Sequence, residues 1–370
     1  MNKAFKIMII FLTVVAIIAI ATVLFLRLPK FGGKPSGKRL EVMQNSPNFK
    51  NGAFQNVSET PQLAEDASIP KMFKEFFSAK NKRPPGKIPS IKTDLNKLSL
   101  DEDVLIWFGH SSYYLQVDGI KILVDPVFSG SASPFSFMVK SFDGTDIYSP
   151  GDFPEIDYLF ITHDHWDHLD YKTILELKPK IKHIITSLGV GSHFERWGFE
   201  MERVREMDWD QEVKMGDGLK VHATTSRHFA GRGLQRNNTL WASFVLVSSN
   251  YKIFIGGDSG YGNHFAEIGE KHGPFDLAIL ENGQYNKAWK YIHMMPDEVL
   301  KAAKDLNAKR LFPVHSGKFA LANHAWNEPL KKITELNANE SVPLLTPMIG
   351  EKVDLKDEKQ QFEKWWEKVK

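Results

Sequence analysis

The sequence predicts an α/β fold in which two packed sheets are covered on their outer faces by helices, preceded by one membrane-spanning helix. Three observations lead there. Residues 7–26 are apolar and uncharged, two similar halves alternate strand-like and helix-like runs, and a histidine-rich turn follows one of those runs directly.

The apolar run comes first in the chain. Residues 7–26 are preceded by Lys3 and Lys6 and followed by Arg27 and Lys30. A helix needs roughly 20 such residues to cross a bilayer. The rival reading is a cleaved signal peptide with Ala19-Ile20-Ala21 at the cleavage site. It is disfavoured because Val23-Leu24-Phe25-Leu26 prolongs the run beyond that point, whereas the apolar region of a signal peptide spans about 7–15 residues. A retained single-span anchor is therefore expected, in the cell membrane. The count of flanking cations, with Arg27, Lys30, Lys34, Lys38 and Arg39 on the carboxyl side, places the body in the cytoplasm. Signal-anchors with a basic start also deliver their carboxyl-terminal domains outward, so the membrane side stays open.

Residues 29–100 are rich in Gly, Pro, Asn, Ser and Lys, with one amphipathic piece at 70–78 carrying Met72, Phe73, Phe76 and Phe77. They read as a juxtamembrane linker and an arm laid on the domain. The organisation expected is an anchor over 1–28, the linker and arm over 29–100, and one globular domain over 101–370.

From Val104 the texture changes to strands. Residues 104–108, 113–117 and 120–124 are apolar, and Asp118-Gly119 between the last two is a hairpin signal. Residues 171–177 predict a helix, 183–186 a short strand, and 193–197 the start of a further helix. The second half predicts strands at 221–225, 241–247, 252–256, 277–280 and 310–314, with helices at 296–306 and 328–336. Composition is that of an ordinary globular protein: 370 residues, 42% hydrophobic, 25% charged. A formal net charge of +2 without a basic stripe gives no electrostatic footprint for nucleic acid, and none is expected as a partner. Zero cysteines exclude disulfides and thiolate metal sites. The oligomeric state is not legible.

The run Thr162-His163-Asp164-His165-Trp166-Asp167-His168-Leu169-Asp170 follows the apolar Tyr158-Leu159-Phe160-Ile161. Three imidazoles and a committed carboxylate in one turn-sized segment are what a two-metal site needs. Imidazole and carboxylate ligands without thiolate suit zinc and admit iron or manganese. Further ligands must then arrive from later strand ends. Three residues satisfy this: His228 after 221–227, Asp258 after Ile253-Phe254-Ile255-Gly256-Gly257, and His315 after Leu311-Phe312-Pro313-Val314. Asp258 is the sharpest, since a carboxylate can bridge two metals and the glycines let the backbone pass close to an ion. His183, His193, His222, His264 and His272 lack neighbouring ligands and read as packing or surface groups. His110 and His293 lie in loops suited to orienting a ligand or meeting a substrate. Asp125, Asp164 and Asp170 are candidates to hold ligand imidazoles by their second ring N–H.

With these residues in view, the chain resembles the metallo-β-lactamase superfamily: the Thr-His-x-His-x-Asp-His-Leu-Asp element, then His228, Asp258 and His315 in order. It looks most like the branch of N-acyl phosphatidylethanolamine phospholipase D and ascorbate 6-phosphate lactonase. Trp107-Phe108-Gly109-His110-Ser111-Ser112, Asp125-Pro126-Val127-Phe128-Ser129, Gly257-Asp258-Ser259-Gly260-Tyr261 and Phe319-Ala320-Leu321-Ala322-Asn323 carry that likeness. The resemblance implies an αββα sandwich of the metallo-β-lactamase type with metals at one edge. It assigns His163, His165 and His228 to a first zinc and Asp167, His168 and His315 to a second, with Asp258 bridging and catalytic. His293 matches a family histidine on the substrate side and is the second catalytic candidate. Ser316 replaces a bulky aromatic of the phospholipase, and Glu281-Asn282-Gly283-Gln284-Tyr285 also departs from the pattern.

The function this implies is a membrane-anchored dinuclear zinc hydrolase working through a metal-activated hydroxide. Its expected chemistry is that of a phosphodiesterase of phospholipase D type, on phospholipid or N-acyl phosphatidylethanolamine-like substrates. A lactonase or other ester or amide hydrolase would use the same centre. A non-catalytic metal-binding membrane scaffold is the alternative from another class, disfavoured because all seven expected ligand positions are filled.

Overall fold

The computed structural model of the chain describes residues 3–338 and 342–370. Helix α1 (Lys3–Leu26) is a single apolar rod with a mean hydropathy of 3.1 over its best window and no buried residue. At a rise of about 1.5 Å per residue it is about 36 Å long, enough to cross a bilayer. By length and composition it is a candidate membrane span or signal sequence.

The chain beyond it is bonded to the body rather than standing free of it. The carbonyl of Pro29 accepts from Trp197 Nε1 (2.8 Å), that of Lys30 accepts from Arg232, and that of Gly33 accepts from Ser192. Arg39 of α2 (Gly37–Gln44) is paired with Glu195 and Glu206. A short hairpin of β1 (Phe49–Lys50) and β2 (Ala53–Phe54) follows, then α3 (Ile69–Ser78), whose Ile69, Phe73, Phe76 and Phe77 are exposed.

The first large sheet is built from β3 (Val104–Trp107), β4 (Tyr113–Val117), β5 (Ile120–Val124), β6 (Ile156–Ile161), β7 (Ile181–Ser187) and β8 (Val204–Met207). Helix α4 (Tyr171–Leu177) joins β6 to β7, and α5 (Gly191–Arg196) joins β7 to β8. The second sheet contains β9 (Glu212–Lys214), β10 (Lys220–Thr224), β11 (Ser243–Val247), β12 (Lys252–Ile255), β13 (Leu277–Glu281) and β14 (Leu311–Val314). Helices α6 (His264–His272), α7 (Pro296–Asp305) and α8 (Glu328–Asn337) lie among its connections. The last strand, β15 (Lys352–Asp354), returns to the first sheet and pairs with β3, giving the order β15-β3-β4-β5-β6-β7-β8 against β14-β13-β12-β11-β10-β9.

Strand alternation builds four layers. Leu105, Trp107, Tyr158 and Phe160 of one sheet and Phe244, Leu246, Ile253 and Ile279 of the other meet in a central core. The opposite face of the first sheet packs Ile106, Leu159 and Ile161 on Ile174 and Leu177 of α4 and Phe194 of α5. That of the second sheet packs Val245, Phe254 and Ala278 on α6, α7 and α8. Strands covered on both faces need no polar face, which is why they read as unbroken apolar runs. The αββα sandwich is the fold observed.

The β4–β5 turn has Asp118 and Gly119 both at positive φ (51° and 76°), the conformation an Asp-Gly hairpin supplies. The strands beyond those expected include β9 and β15, each with a single inward apolar side chain between charged ones. Helix α6 and strand β8 were also not anticipated, and β7 is longer than its expected core at 183–186.

Strand direction is what positions the site. β3, β5 and β6 run one way in the first sheet and β10, β12, β13 and β14 one way in the second, as their pairings require, and the bridge of His110 after β3 with Ser316 after β14 brings the two sets of strand ends together. Their carboxyl ends therefore open on one edge of the sandwich. Phe160 is fully buried and meets Phe244 of the facing sheet at 5.5 Å between ring centroids. Phe160→Ala is expected to cost about 3–5 kcal/mol, read as a lowered denaturation midpoint of the full chain in detergent.

Candidate metal centre

Seven strand ends deliver chemistry to that edge: His110 after β3, Asp125 after β5, His163 after β6, His228 after β10, Asp258 after β12, Glu281 at the end of β13 and His315 after β14. The turn after β6 adds His165, Asp167 and His168. Two backbone hydrogen bonds stitch the sheets together here, from His110 N to the Ser316 carbonyl (2.8 Å) and from His315 N to the His110 carbonyl (2.9 Å). His110, Asp125 and His315 each hold positive φ (54°, 41° and 66°), a left-handed backbone that side-chain-bearing residues adopt only where surrounding structure imposes it.

All seven residues expected as ligands converge. His163 Nε2 lies 2.9 Å from His165 Nδ1, which lies 3.3 Å from His228 Nε2, so three ring nitrogens face one point. Asp258 sits between this trio and the rest. Its Oδ2 is 3.9 Å from His163 Nε2, 3.7 Å from His228 Nε2 and 3.2 Å from His168 Nε2, and its Oδ1 is 3.2 Å from His315 Nδ1. Asp167 Oδ2 completes the second group at 3.5 Å from His168 Nε2. The groupings His163–His165–His228 and His110–Asp167–His168–His315 each bring ligand atoms within 4.8 Å of one another, as does the bridging set His163–His168–Asp258.

The surrounding hydrogen bonds settle which ring nitrogens carry lone pairs. Thr162 Oγ1 donates to Asp125 Oδ2 (2.7 Å), so it accepts from His163 Nδ1–H (3.0 Å) and leaves Nε2 bare. Asp125 Oδ2 also accepts from His168 Nδ1 (2.8 Å), and the Ile292 carbonyl accepts from His228 Nδ1 (2.9 Å). Each bond turns an Nε2 lone pair toward the centre. His168 Nε2 and Asp258 Oδ1 are buried with no hydrogen-bond partner. Bare lone pairs aimed at one another in a dry pocket repel, and a cation between them satisfies both. The residues present thus fit a metal pair.

The electrostatics agree. Burial, reinforced by neighbouring imidazoles, holds His163, His228 and His315 well below the ordinary histidine range, the neutral form a metal needs. Burial would lower His168 too, but Asp258, Asp167 and Asp125 push it well above that range. This marks a concentration of negative charge. Burial works to raise the Asp258 carboxyl, yet His168 and His315 hold it well below the carboxylate range.

His293 stands at the cleft side, its ring 5.0 Å from that of His228 and 5.3 Å from that of His315. Its Nδ1 bonds Glu281 Oε2 at 2.6 Å, and Glu281 Oε1 accepts from Met294 N. Burial pushes Glu281 up to about 7; burial alone would lower His293, but Glu281 raises it to about 9. Glu281 was overlooked, although a carboxylate at the end of an apolar strand is the signal that marked His315. His110 Nε2 donates to Asp167 Oδ2 at 2.8 Å, and Ser111 Oγ contacts His315 Nδ1 at 2.9 Å.

Three expectations about supporting groups change. Asp164 holds His193 Nε2 (3.0 Å) and Gly231 N, so it fixes the loop and not a ligand, and His193 is its buried partner. Burial opposes its ionisation, but His193 brings the carboxyl down to about 2. Asp170 caps α4 and binds Ser129 N. Gly256 and Gly257 are required by neighbouring backbone: a Cβ at 256 would lie 2.4 Å from the Ile279 carbonyl, and one at 257 would lie 2.8 Å from that of Ala242.

A cleft of about 420 Å³ opens over the centre. Beside His165, Asp167, His228, Asp258, His293 and His315 it is walled by Leu63, Phe229, Trp289 and Leu321, with Gln62, Gln284 and Arg236 as further polar groups. Gln62 and Leu63 come from the arm, which also reaches a proposed ligand: Asn56 bonds both the carbonyl (2.8 Å) and the N–H (3.1 Å) of His228.

Comparison with known proteins agrees with this geometry. The model of the beta-lactamase superfamily domain matches residues 121–316. An uncharacterized protein of Mycobacterium tuberculosis is 36% identical over 319 residues, covering 85% of this chain and 86% of that one. An N-acyl-phosphatidylethanolamine-hydrolyzing phospholipase D of Caenorhabditis elegans is 32% identical over 249 residues, 62% of this chain and 68% of its own. Among solved structures, a metallo hydrolase of Ignicoccus hospitalis shares the fold with a TM-score of 0.52 at 21% identity, over 68% of this chain and 97% of its own. The chain belongs to the metallo-β-lactamase superfamily and is a metal-dependent hydrolase resembling the N-acyl phosphatidylethanolamine phospholipases D.

Proposed function

We propose that this protein is a membrane-anchored dinuclear zinc hydrolase, a phosphodiesterase of phospholipase D type acting on phospholipid or N-acyl phosphatidylethanolamine-like substrates. Residues 1–28 serve as the anchor, 29–100 as a strap and arm, and 101–370 as the hydrolase. The observation that carries the reading is the cleft wall: apolar Leu63, Phe229, Trp289 and Leu321 beside one guanidinium, Arg236, over a cluster of imidazoles and carboxylates. Apolar walls with one cation suit a phosphate ester carrying hydrocarbon substituents.

His163, His165 and His228 would hold one ion and Asp167, His168 and His315 the other, with Asp258 between them. When bound, such a pair acidifies water and neutralises charge developing on a phosphoryl or carbonyl oxygen. The chain's own residues do the rest. Asp125, Thr162 and the Ile292 carbonyl fix ring tautomers, Asn56 holds His228 in place, and Arg236 faces the substrate's anionic oxygen. Hydrolysis forms a bond from water oxygen to phosphorus as an ester P–O bond breaks, and the departing alkoxide needs a proton. His293, kept protonated at neutral pH by Glu281, supplies it.

Three outcomes are expected. His293→Gln lowers kcat by about 10²–10⁴-fold while metal content, read by elemental analysis, stays that of the unaltered protein. Asp125→Asn removes the acceptor for His168 Nδ1 and weakens metal affinity by about 10–100-fold, read by chelator competition. The full chain in mixed vesicles turns over N-acyl phosphatidylethanolamine, and Asp258→Ala abolishes this; turnover of small lactones alone would overturn the phosphodiesterase reading in favour of a lactonase.

A further inference from the structure

The end of α1 is tied to two loops, one that lines the metal cleft through Phe229 and Arg236 and one that packs behind its wall at Leu321. Phe25, one residue before the end of α1, stacks face to face on Phe135, with centroids 4.9 Å apart and planes 11° apart. Lys30 Nζ donates to the Pro134 carbonyl and lies over the ring of Phe25. Phe135 is thereby held at the depth of the last turn of the span, where a bilayer's interface lies. Two and three residues on, Phe137 is 72% exposed and Met138 46%.

The second loop is tied by Arg232, nearly fully buried. Its Nε and Nη2 donate to the Lys30 carbonyl (3.1 and 3.0 Å), and its Nη1 donates to the carbonyls of Asp164 (2.9 Å) and Leu169 (2.6 Å) in the histidine turn. One guanidinium thus joins the membrane exit to the metal-binding turn. Two residues later Leu234 is 82% exposed.

The second loop continues into the cleft, and the first packs behind its wall. Val139 and Ala132, at the base of the first, share a small apolar cluster with Leu321, and Leu321 and Arg236 line the cleft itself. An apolar group of this size in water is unfavourable for a soluble face, whereas apolar residues around a membrane exit partition into the interface.

We propose that residues 134–138 and Leu234 dip into the bilayer around the exit of α1 and hold the mouth of the metal cleft at headgroup level. The substrate is then an amphiphile whose polar part enters the cleft while its tails stay in the membrane. This rests on α1 being a retained span, as in the function proposed above.

The chain's lack of cysteine makes the test direct. Single cysteines are introduced into the full chain as Ile17→Cys, Phe137→Cys, Leu234→Cys and Ser249→Cys. Each carries an environment-sensitive fluorophore, in phosphatidylcholine–phosphatidylethanolamine vesicles with nitroxide-labelled acyl chains. Ser249 is exposed in the turn between β11 and β12, on the sheet edge opposite the metal cluster. The expected result is quenching severalfold stronger at 17, 137 and 234 than at 249. Quenching at 17 with 137 and 234 no different from 249 overturns the proposal and leaves the anchor intact. Shielding of 137 and 234 from an aqueous quencher without lipid quenching means a protein partner covers the face, and also overturns it. No quenching at 17 overturns the anchor reading, and the proposal falls with it.

Discussion

Everything at the functional edge follows from one constraint: lone pairs and carboxylates buried in one pocket cannot coexist without a cation. Asp258 and Asp167 face His168, His163, His228 and His315 at 3.2–3.9 Å and their sites are almost dry. Leaving such a group unpaired costs several kcal/mol per charge, so this arrangement is unstable by itself and stable with positive charge at its centre. The surrounding fold exists to hold the donors in that unfavourable register. Strand ends from both sheets supply them, the His110–Ser316 and His315–His110 backbone bonds lock the sheets at the seam, and left-handed residues aim the side chains. A sandwich of two sheets suits this task, since each sheet contributes ligands that neither could bring together alone.

The parts outside the sandwich are not accessories to this arrangement. Asn56 grips the backbone of His228 through both its N–H and its carbonyl, and Arg227 next to it bonds Thr60 and the Glu59 carbonyl. The arm therefore sets one side of the trio and, through Gln62 and Leu63, one side of the cleft. Arg232 does the same for the histidine turn, linking it to Lys30 while its guanidinium lies 3.9 Å over the ring of Trp166. One buried guanidinium thus connects the segment after α1 to the ligand loop.

What could be read from the residues alone depended on how local the information was. The His-x-His-x-Asp-His turn is legible because its ligands are neighbours in sequence. His228, Asp258 and His315 are legible because each follows an apolar run, and runs covered by helices on one side and a second sheet on the other stand out plainly. Glu281 carries the same signal, but a glutamate ending a strand has no motif to announce it. β9 and β15 escaped because an edge strand with one inward valine, Val213 or Val353, shows too little alternation. Asp125 and Asp170 looked equivalent in sequence. Only tertiary placement separates the one that holds His168 from the one that caps α4. The contributions of Asn56, Gln62 and Arg232 depend on contacts between segments far apart in the chain and leave no periodicity to detect.

Two departures from the family pattern turn out to be one structural feature. Ser316 is buried directly against Gly283: a Cβ on that glycine would lie 3.0 Å from Ser316 Cβ and 2.1 Å from the His315 carbonyl. A bulky ring at 316 has no room in this packing, and a side chain at 283 has none either. The wall behind His315 is therefore made of backbone. Gln284, at positive φ (54°), takes over the shaping role: its Oε1 accepts from Leu321 and Ala322 N–H and its Nε2 donates to the Phe319 carbonyl. Leu321 is thereby fixed at the rim, against the base of the loop whose Phe135 stacks on Phe25 of α1. Ser316 and the 281–285 stretch thus leave the ligand set untouched and shape the wall of the cleft behind His315.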